Sequence, residues 1–393
     1  MISSNLVNPN LTGTQPSPIM EVQGWLRDAK LPGDLPLIDL SQAAPAEPPP
    51  EVLRQHMADA LMSQPGAHFY GPVLGNRALR GEIAKRWSTR YDTHIVAYNV
   101  AVTAGCNQAF CVAVATACKP GDAVMLPYPW YFNHKMWLDM AGIDCVPLPV
   151  DADMLPDLAA AKAAMTPNVR AVALVTPNNP TGAEYPDDLL HAFYDLAEAQ
   201  NAILIVDETY RDFHAADGPP HTLFQRSNWM AQLVHLYSFS KVYRLTGHRT
   251  GAMITGAARI QEAEKFLDTM TICAAQTGQI AALHGLRTLD GWVAEQRAEI
   301  LDRRTFLTEL FAERLPDWTL HGTGAYFAWA TPPGEDSAPV VAKRLLDAHA
   351  LLVLPGTMFV PQGVDTRALR IAFANADREG LTEMARRLGH FVP

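Results

Sequence analysis

Arg170-Ala171-Val172-Ala173-Leu174-Val175-Thr176-Pro177-Asn178-Asn179-Pro180-Thr181-Gly182 joins a strand-length apolar run to a turn crowded with Pro, Asn and Gly. After its first residue the run has no polar face, so it predicts a strand covered on both sides, as in a parallel sheet. Four more runs share this form, at 100–103, 123–126, 202–206 and 233–237, bounded by Gly, Pro, Asp or Ser. Helix-length periodic segments at 106–118, 131–140, 155–164 and 187–200 separate most of them. This alternation predicts an α/β domain whose mostly parallel sheet lies between layers of helices. A further strand is expected at Ala252–Thr255, followed by long helices across about 257–314.

Upstream, Pro9, Pro16, Pro18, Pro32, Pro36, Pro45 and then Pro48-Pro49-Pro50 exclude long helices from residues 1–50, except around Glu21–Lys30. Amphipathic helices are expected at about Glu51–Met62 and Asn76–Arg90, with a turn at His68-Phe69-Tyr70-Gly71-Pro72 between them. From about residue 316 the pattern changes to Gly324–Ala330, a helix near 338–349, Leu351–Leu354, Leu369–Phe373 and a closing helix. That reads as a smaller α+β domain. The expected division is an N-terminal segment, 1–50, belonging to the small domain, a large α/β domain, 51–290, and a small C-terminal domain, 291–393.

The 393 residues are 48% hydrophobic and 18% charged, a globular composition that fits two or three domains. Lys and Arg number 31 against 41 Asp and Glu, a formal charge of −10, which argues against nucleic-acid binding as the main activity. A small anion is a separate matter, since one local arginine can hold it. The five cysteines, Cys106, Cys111, Cys118, Cys145 and Cys273, are odd in number and form no C-x-x-C pair. They fit buried thiols in a reducing compartment better than disulfides or zinc. Met1–Asn10 has neither the basic nor the apolar region of a signal peptide. The strongest apolar stretch, Ala109–Cys118, is half of the ~20 residues a membrane helix needs. A soluble cytoplasmic protein without membrane attachment is expected. G-x-x-x-x-G-K-[ST], H-E-x-x-H and G-x-S-x-G are all absent, and the 13 histidines show no close ligand spacing, so no metal is expected.

Ligands of open α/β sheets sit outside the carboxyl ends of the strands. Those ends carry Thr176–Gly182, then Asp207-Glu208-Thr209-Tyr210, then Ser238-Phe239-Ser240-Lys241 with Thr246-Gly247-His248-Arg249 beyond. The run 100–103 leads into Ala104-Gly105-Cys106-Asn107 at a helix start. A carboxylate, a lysine, an arginine, hydroxyls and a helix N-terminus thus converge. A lysine amine joins an aldehyde as a Schiff base. A carboxylate keeps a pyridine nitrogen protonated, which makes the ring an electron sink. Backbone N–H groups, hydroxyls and arginine bind a phosphate dianion.

At these residues the sequence resembles the class I/II, fold type I, pyridoxal-phosphate-dependent aminotransferases, from about Ile38 to the C-terminal helix. Asn179-Pro180-Thr181-Gly182, Asp207-x-x-Tyr210, Ser238-Phe239-Ser240-Lys241 and Arg249 occur in family order, and Arg249 falls at the family's spacing from the lysine. The resemblance implies a large domain with a seven-stranded-type sheet that binds pyridoxal 5′-phosphate, plus the smaller α+β domain. It implies that Lys241 is the Schiff-base lysine and proton shuttle, and that Asp207 pairs with the pyridinium nitrogen. Tyr210 and Asn179 would hydrogen-bond the ring's 3-oxygen, and Tyr131, with Trp130 as its rival, would stack on the ring. Ala104, Gly105 and Cys106 would offer backbone N–H groups to the phosphate, with Ser238, Ser240 and Arg249 completing the cradle. Arg370, in Leu369-Arg370-Ile371-Ala372-Phe373, would grip the substrate α-carboxylate. Tyr70 matches the position that reaches the phosphate of the neighbouring subunit, which implies a homodimer with shared sites.

Two departures concern the substrate side. Gln42-Ala43-Ala44 stands where members often show Gly, and His248 where many show Trp. The implied function is amino transfer between an L-amino acid and a 2-oxo acid. A β-eliminating C–S lyase or another enzyme of the same fold shares the lysine, aspartate and phosphate cradle. A cofactor-binding regulatory domain fused to a DNA-binding module is disfavoured, because the first 50 residues show no helix-turn-helix pattern and little positive charge.

Overall fold

A computed structural model describes residues 6–33 and 35–392. In chain order the strands are β1 (Ile38–Asp39), β2 (Val100–Thr103), β3 (Ala123–Pro127), β4 (Asp144–Leu148), β5 (Val169–Val175), β6 (Ile203–Asp207), β7 (Leu233–Ser238), β8 (Gly251–Ile254), β9 (Thr319–Gly324), β10 (Phe327–Thr331), β11 (Leu351–Leu352), β12 (Leu354–Pro355) and β13 (Leu369–Ile371). Seven of them form one sheet in the order β2-β8-β7-β6-β5-β3-β4. The strands from β7 to β4 run parallel, and β8 is antiparallel to both of its neighbours.

Strand periodicity explains the layers. Val172 and Leu174 of β5 point into one core with Leu204 and Val206 of β6. Ala171 and Ala173 point into the opposite core with Ile203 and Ile205. Each face is closed by helices, which is why the strands read as unbroken apolar runs. The helix Cys106–Ala115 buries Phe110, Ala113 and Val114 against the second core. On the other side, Asp187–Ala199 buries Leu190, Phe193 and Tyr194.

The C-terminal part builds its own antiparallel sheet, β12-β13-β10-β9. Its core takes Leu345 from the helix Ala338–His349, Met384 and Leu388 from the helix Arg378–Gly389, and Leu40 from far upstream. That last contact follows from the parallel pairing of β1 with β11, Ile38 opposite Leu351 and Asp39 opposite Leu352. Among the described residues no helix is long and apolar enough to cross a membrane.

The structure corrects several boundaries. Edge strand β4 escapes a reading by apolar runs, because Asp144 is exposed and Pro147 interrupts the pattern. The segment 324–330 is not one strand. Gly324 ends β9, Ala325-Tyr326 turn, and β10 follows as the second arm of a hairpin. Leu351–Leu354 divides between two sheets. The helix expected from 155 starts at Leu158, where the Asp157 side chain accepts from the amides of Ala159 and Ala160. The helix expected around 21–30 runs Pro18–Asp28, with Pro18 in its first turn.

Candidate active site

A cavity of about 620 Å³ opens beyond the carboxyl ends of β5, β6 and β7, where Val175, Asp207 and Ser238 line it. Of the expected site residues, Cys106, Tyr131, Asn179, Asp207, Tyr210, Ser238, Ser240, Lys241, Arg249 and Arg370 all face this one space. They come from strands of the seven-stranded and four-stranded sheets and from six separate loops or helix starts.

Asp207 ends β6 and is 3% exposed. One carboxylate oxygen accepts from the Thr209 amide at 3.0 Å and the Thr209 hydroxyl at 2.7 Å. The other lies 3.3 Å from Nε2 of His134, near enough for charge interaction although no hydrogen bond is aligned. Burial pushes the carboxyl up, but His134 and the two Thr209 donors outweigh it, so Asp207 titrates below the usual aspartate range. It is therefore an anion at neutral pH. His134 is held by stacking on Phe110, with ring centroids 3.7 Å apart.

Lys241 lies just past β7, in the short helix Phe239–Val242 whose start is capped by the Ser238 hydroxyl, 3.2 Å from the Ser240 amide. Its amine donates to the carbonyl of Ala43 and lies 5.9 Å from the Tyr210 ring centre. Burial, with Arg370 and Arg249 adding to it, lowers the ammonium to about 7. A sizeable neutral fraction therefore exists at physiological pH, as a nucleophilic amine requires.

Arg370, on β13, is 2% exposed and has no carboxylate partner among the described residues. Nη1 donates to Oδ1 of Asn179 at 3.0 Å, Nη2 donates to the carbonyl of Ser41, and Nε is buried without a partner. The guanidinium lies 5.2 Å from the Phe327 ring centre and 5.0 Å from that of Phe359. Burial lowers it to about 10, so it stays charged at neutral pH. A buried cation left with neutral partners is built to receive an anion.

Arg249 extends over the start of the helix Cys106–Ala115, donating to the Ser240 hydroxyl at 3.3 Å and the Thr246 carbonyl at 3.0 Å. Gly105 holds φ +83°, and a Cβ there would strike the Arg249 guanidinium, so only glycine lets the two approach. The amide of Ala104 donates to Oε1 of Gln108 at 2.7 Å and that of Gly105 to the Thr103 carbonyl at 2.8 Å. The donors left for an anion are the first amides of the helix itself, from Cys106 and Asn107. Burial pushes the Cys106 thiol well up, so it is inert.

Tyr131 faces the cavity with its hydroxyl 3.1 Å from Oδ1 of Asn107 and 3.0 Å from Nδ2 of Asn133, and burial pushes it up to about 12. Its rival Trp130 packs into the core behind. Tyr70 does not line the cavity of its own chain. It is 80% exposed, beside Phe69 at 69%. His248 lies outside the cavity, whereas Gln42, Ala43 and Ala44 line it.

Three contributors were not singled out from sequence. Thr209 carries a local signal, a hydroxyl two residues after a strand-end aspartate. Asn107 has only its place at a helix start. His134 has none, because only tertiary packing brings it under Asp207. Behind β6, Glu208 meets His235 at 2.5 Å, His221 at 3.6 Å and the Tyr91 hydroxyl, all buried. This trio of Glu208, His221 and His235 has metal-like proximity. However, both imidazoles accept at Nδ1, from the Leu223 amide at 3.3 Å and from Trp87 at 3.4 Å. Their Nε2–H groups therefore point at Glu208. A metal ligand needs the opposite tautomer, so the cluster reads as a buried carboxylate whose one oxygen takes hydrogen bonds from His235 and Tyr91, with His221 nearby.

The model of the family described as "Aminotransferase class I and II" matches residues 36–388. An aromatic aminotransferase of Arabidopsis thaliana is 30% identical over 352 residues, 87% of this chain and 86% of its own length. An arginine–pyruvate transaminase of Pseudomonas aeruginosa is 30% identical over 89% of this chain and 88% of its own. Among solved structures, an aspartate aminotransferase of Thermotoga maritima superposes with a TM-score of 0.88 at 24% identity, covering 98% of this chain and 99% of the other. The chain belongs to the class I and II aminotransferase family and is an enzyme of amino-group transfer.

Proposed function

We propose that the cavity is the catalytic centre, that pyridoxal 5′-phosphate is its resident cofactor, and that it serves transfer between an L-amino acid and a 2-oxo acid. The observation that carries this reading is the meeting, in one cavity, of a depressed lysine, a buried ionised aspartate and a buried arginine without a counter-ion. The donor set fits the cofactor. The Cys106 and Asn107 amides, Ser238, Ser240 and Arg249 would hold its phosphate, leaving Ala104 and Gly105 to shape the turn. Asp207 would hold the ring nitrogen, and Tyr210 and Asn179 the ring hydroxyl. Tyr131 would cover one ring face. When bound, the cofactor supplies an aldehyde carbon and a ring that delocalises the electron pair left on the substrate Cα.

This chain's own residues do the rest. Arg370 fixes the α-carboxylate through its planar fork, and Asn179 on Nη1 keeps that fork oriented. Lys241, unprotonated in part at neutral pH, would take the proton from the substrate Cα and deliver it, across the intervening nitrogen, to what had been the cofactor's aldehyde carbon. A positioned amine of this kind contributes typically about 10²–10⁴-fold. Asp207 stays ionised through the cycle because Thr209 and His134 hold it so. Borohydride reduction of the holoenzyme followed by peptide mapping tests the assignment. The added mass belongs on the peptide containing Lys241, and labelling of a different lysine overturns it. Amino donor alone should convert the bound cofactor, whereas release of pyruvate and ammonia would mark a lyase.

We also infer a homodimer whose sites are shared, since Tyr70 stands exposed beside Phe69 and away from its own cavity. Tyr70→Phe should loosen the cofactor only modestly, one hydrogen bond among several being lost. A fully active monomer by light scattering would refute the shared site. The five free thiols support a cytoplasmic location. The division at about residues 50 and 290 is retained as our reading of the domains.

A further inference from the structure

We propose that the side chain of the amino donor is uncharged and mainly apolar, and that the wall formed by Ile19, Met20, Ala43, Ala44 and Phe132 selects it. This rests on the cavity being the catalytic centre. The charged residues lining the cavity are Asp207, Lys241, Arg249 and Arg370. Three of them serve the cofactor under that reading, and Arg370 serves the α-carboxylate. Among the described residues of this chain, no lining cation remains for a distal carboxylate and no lining carboxylate for a distal amine or guanidinium.

Apart from the groups assigned to the cofactor, the lining offers apolar Ile19, Met20, Ala43, Ala44 and Phe132, the amides of Gln42 and Asn133, and the hydroxyl of Ser17. Ile19 and Met20 reach it from the first turn of the helix Pro18–Asp28, and Ala43 and Ala44 from the segment after β1. Phe132 packs on Phe359, with ring centroids 5.8 Å apart, and Phe359 also lies under the Arg370 guanidinium. The aromatic wall therefore begins next to the carboxylate position, where a substrate side chain leaves Cα. Asn133 already donates to the Tyr131 hydroxyl. Lys135 sits in a separate groove behind Phe132, paired with Asp139. A charged side chain would lose hydration here without gaining a partner, which costs more than an unsatisfied neutral group and predicts discrimination of about 100-fold or more.

The test uses the holoenzyme and reads the absorbance of bound cofactor in single turnovers with individual amino acids. Phenylalanine, leucine and methionine should show kcat/KM at least about 100-fold above aspartate, glutamate, arginine and lysine. Charged donors within tenfold of neutral ones would overturn the proposal, including the case in which a partner subunit supplies the missing charge. Conversion by no amino acid at all would instead overturn the reading of the cavity as a transamination site. Ile19→Lys should leave the cofactor spectrum unchanged and raise the ratio of aspartate to phenylalanine turnover at least about tenfold. An unchanged ratio would remove Ile19 from the selecting wall.

Discussion

Replacing Arg370 by lysine keeps the charge and removes the fork. In the native site Nη1 is steered by Asn179, Nη2 by the Ser41 carbonyl, and two phenylalanine rings flank the guanidinium plane. A lysine ammonium is a point donor that neither stacks as a plane nor offers two parallel bonds. One charge-assisted hydrogen bond to the carboxylate should be lost, worth about 1.5–3 kcal/mol. At 1.36 kcal/mol per decade that is roughly a 10- to 150-fold fall in kcat/KM for amino acids. No internal carboxylate is orphaned, since Arg370 forms no ion pair among the described residues. The variant should therefore fold and retain cofactor with an unchanged spectrum. Stopped-flow half-reactions at varied donor concentration would show the loss mainly in KM. A native kcat/KM in a variant with normal cofactor content would refute the placement of the carboxylate on Arg370.

The lowered pKa of Lys241 makes the cofactor-free protein pH-sensitive. Between about 7 and the ordinary lysine value of 10.5 the unfolded chain binds a proton that the folded chain does not, so this group's contribution to stability rises with pH across that window and is flat below it. Lys241→Met should raise the Tm of cofactor-free protein near pH 7.5, and the gain should shrink as pH approaches 10.5; a gain that grows with pH contradicts the burial argument. Glu208→Gln should lower stability by about 1–3 kcal/mol, because an amide cannot accept as strongly from the buried His235 and Tyr91 donors and brings donors of its own among them. A metal chelator should leave the native Tm unchanged, and a fall in Tm would restore the metal reading of that cluster.

The large sheet was legible because both of its faces are covered. The runs at 170–175 and 202–206 lie within a residue of β5 and β6. Legibility failed where one face or one edge is wet. β4, with Asp144 exposed, carries no run to read, and β9 alternates exposed and half-buried residues along an antiparallel edge. The polar strand ends could be read as a set because parallel topology delivers them to the same rim. His134 could not, since it lies in the first turn of a helix and reaches Asp207 across 73 positions of sequence. The engagement of the Ala104 and Gly105 amides was equally hidden, because it depends on how the turn closes.

The pairing of β1 with β11 has a consequence for how this chain can vary. Two rungs fix where residue 38 lies, and the Leu40 carbonyl is locked in turn to the Ala372 amide at 2.9 Å. Immediately after, the Ser41 carbonyl meets Arg370 and the Ala43 carbonyl meets Lys241. The stretch thus works as a gauge block, setting Arg370 of the small sheet and Lys241 of the helix after β7 against a single main-chain datum. An insertion or deletion between 38 and 43 would displace both contacts at once while leaving every side chain of the cavity present. Past Ala44, the carbonyls of Pro48 and Pro49 meet the arginine side chains of Arg244 and Arg54 and not the cavity, so length changes between Pro45 and Pro49 would leave both cavity contacts in place and heritable variation would collect there.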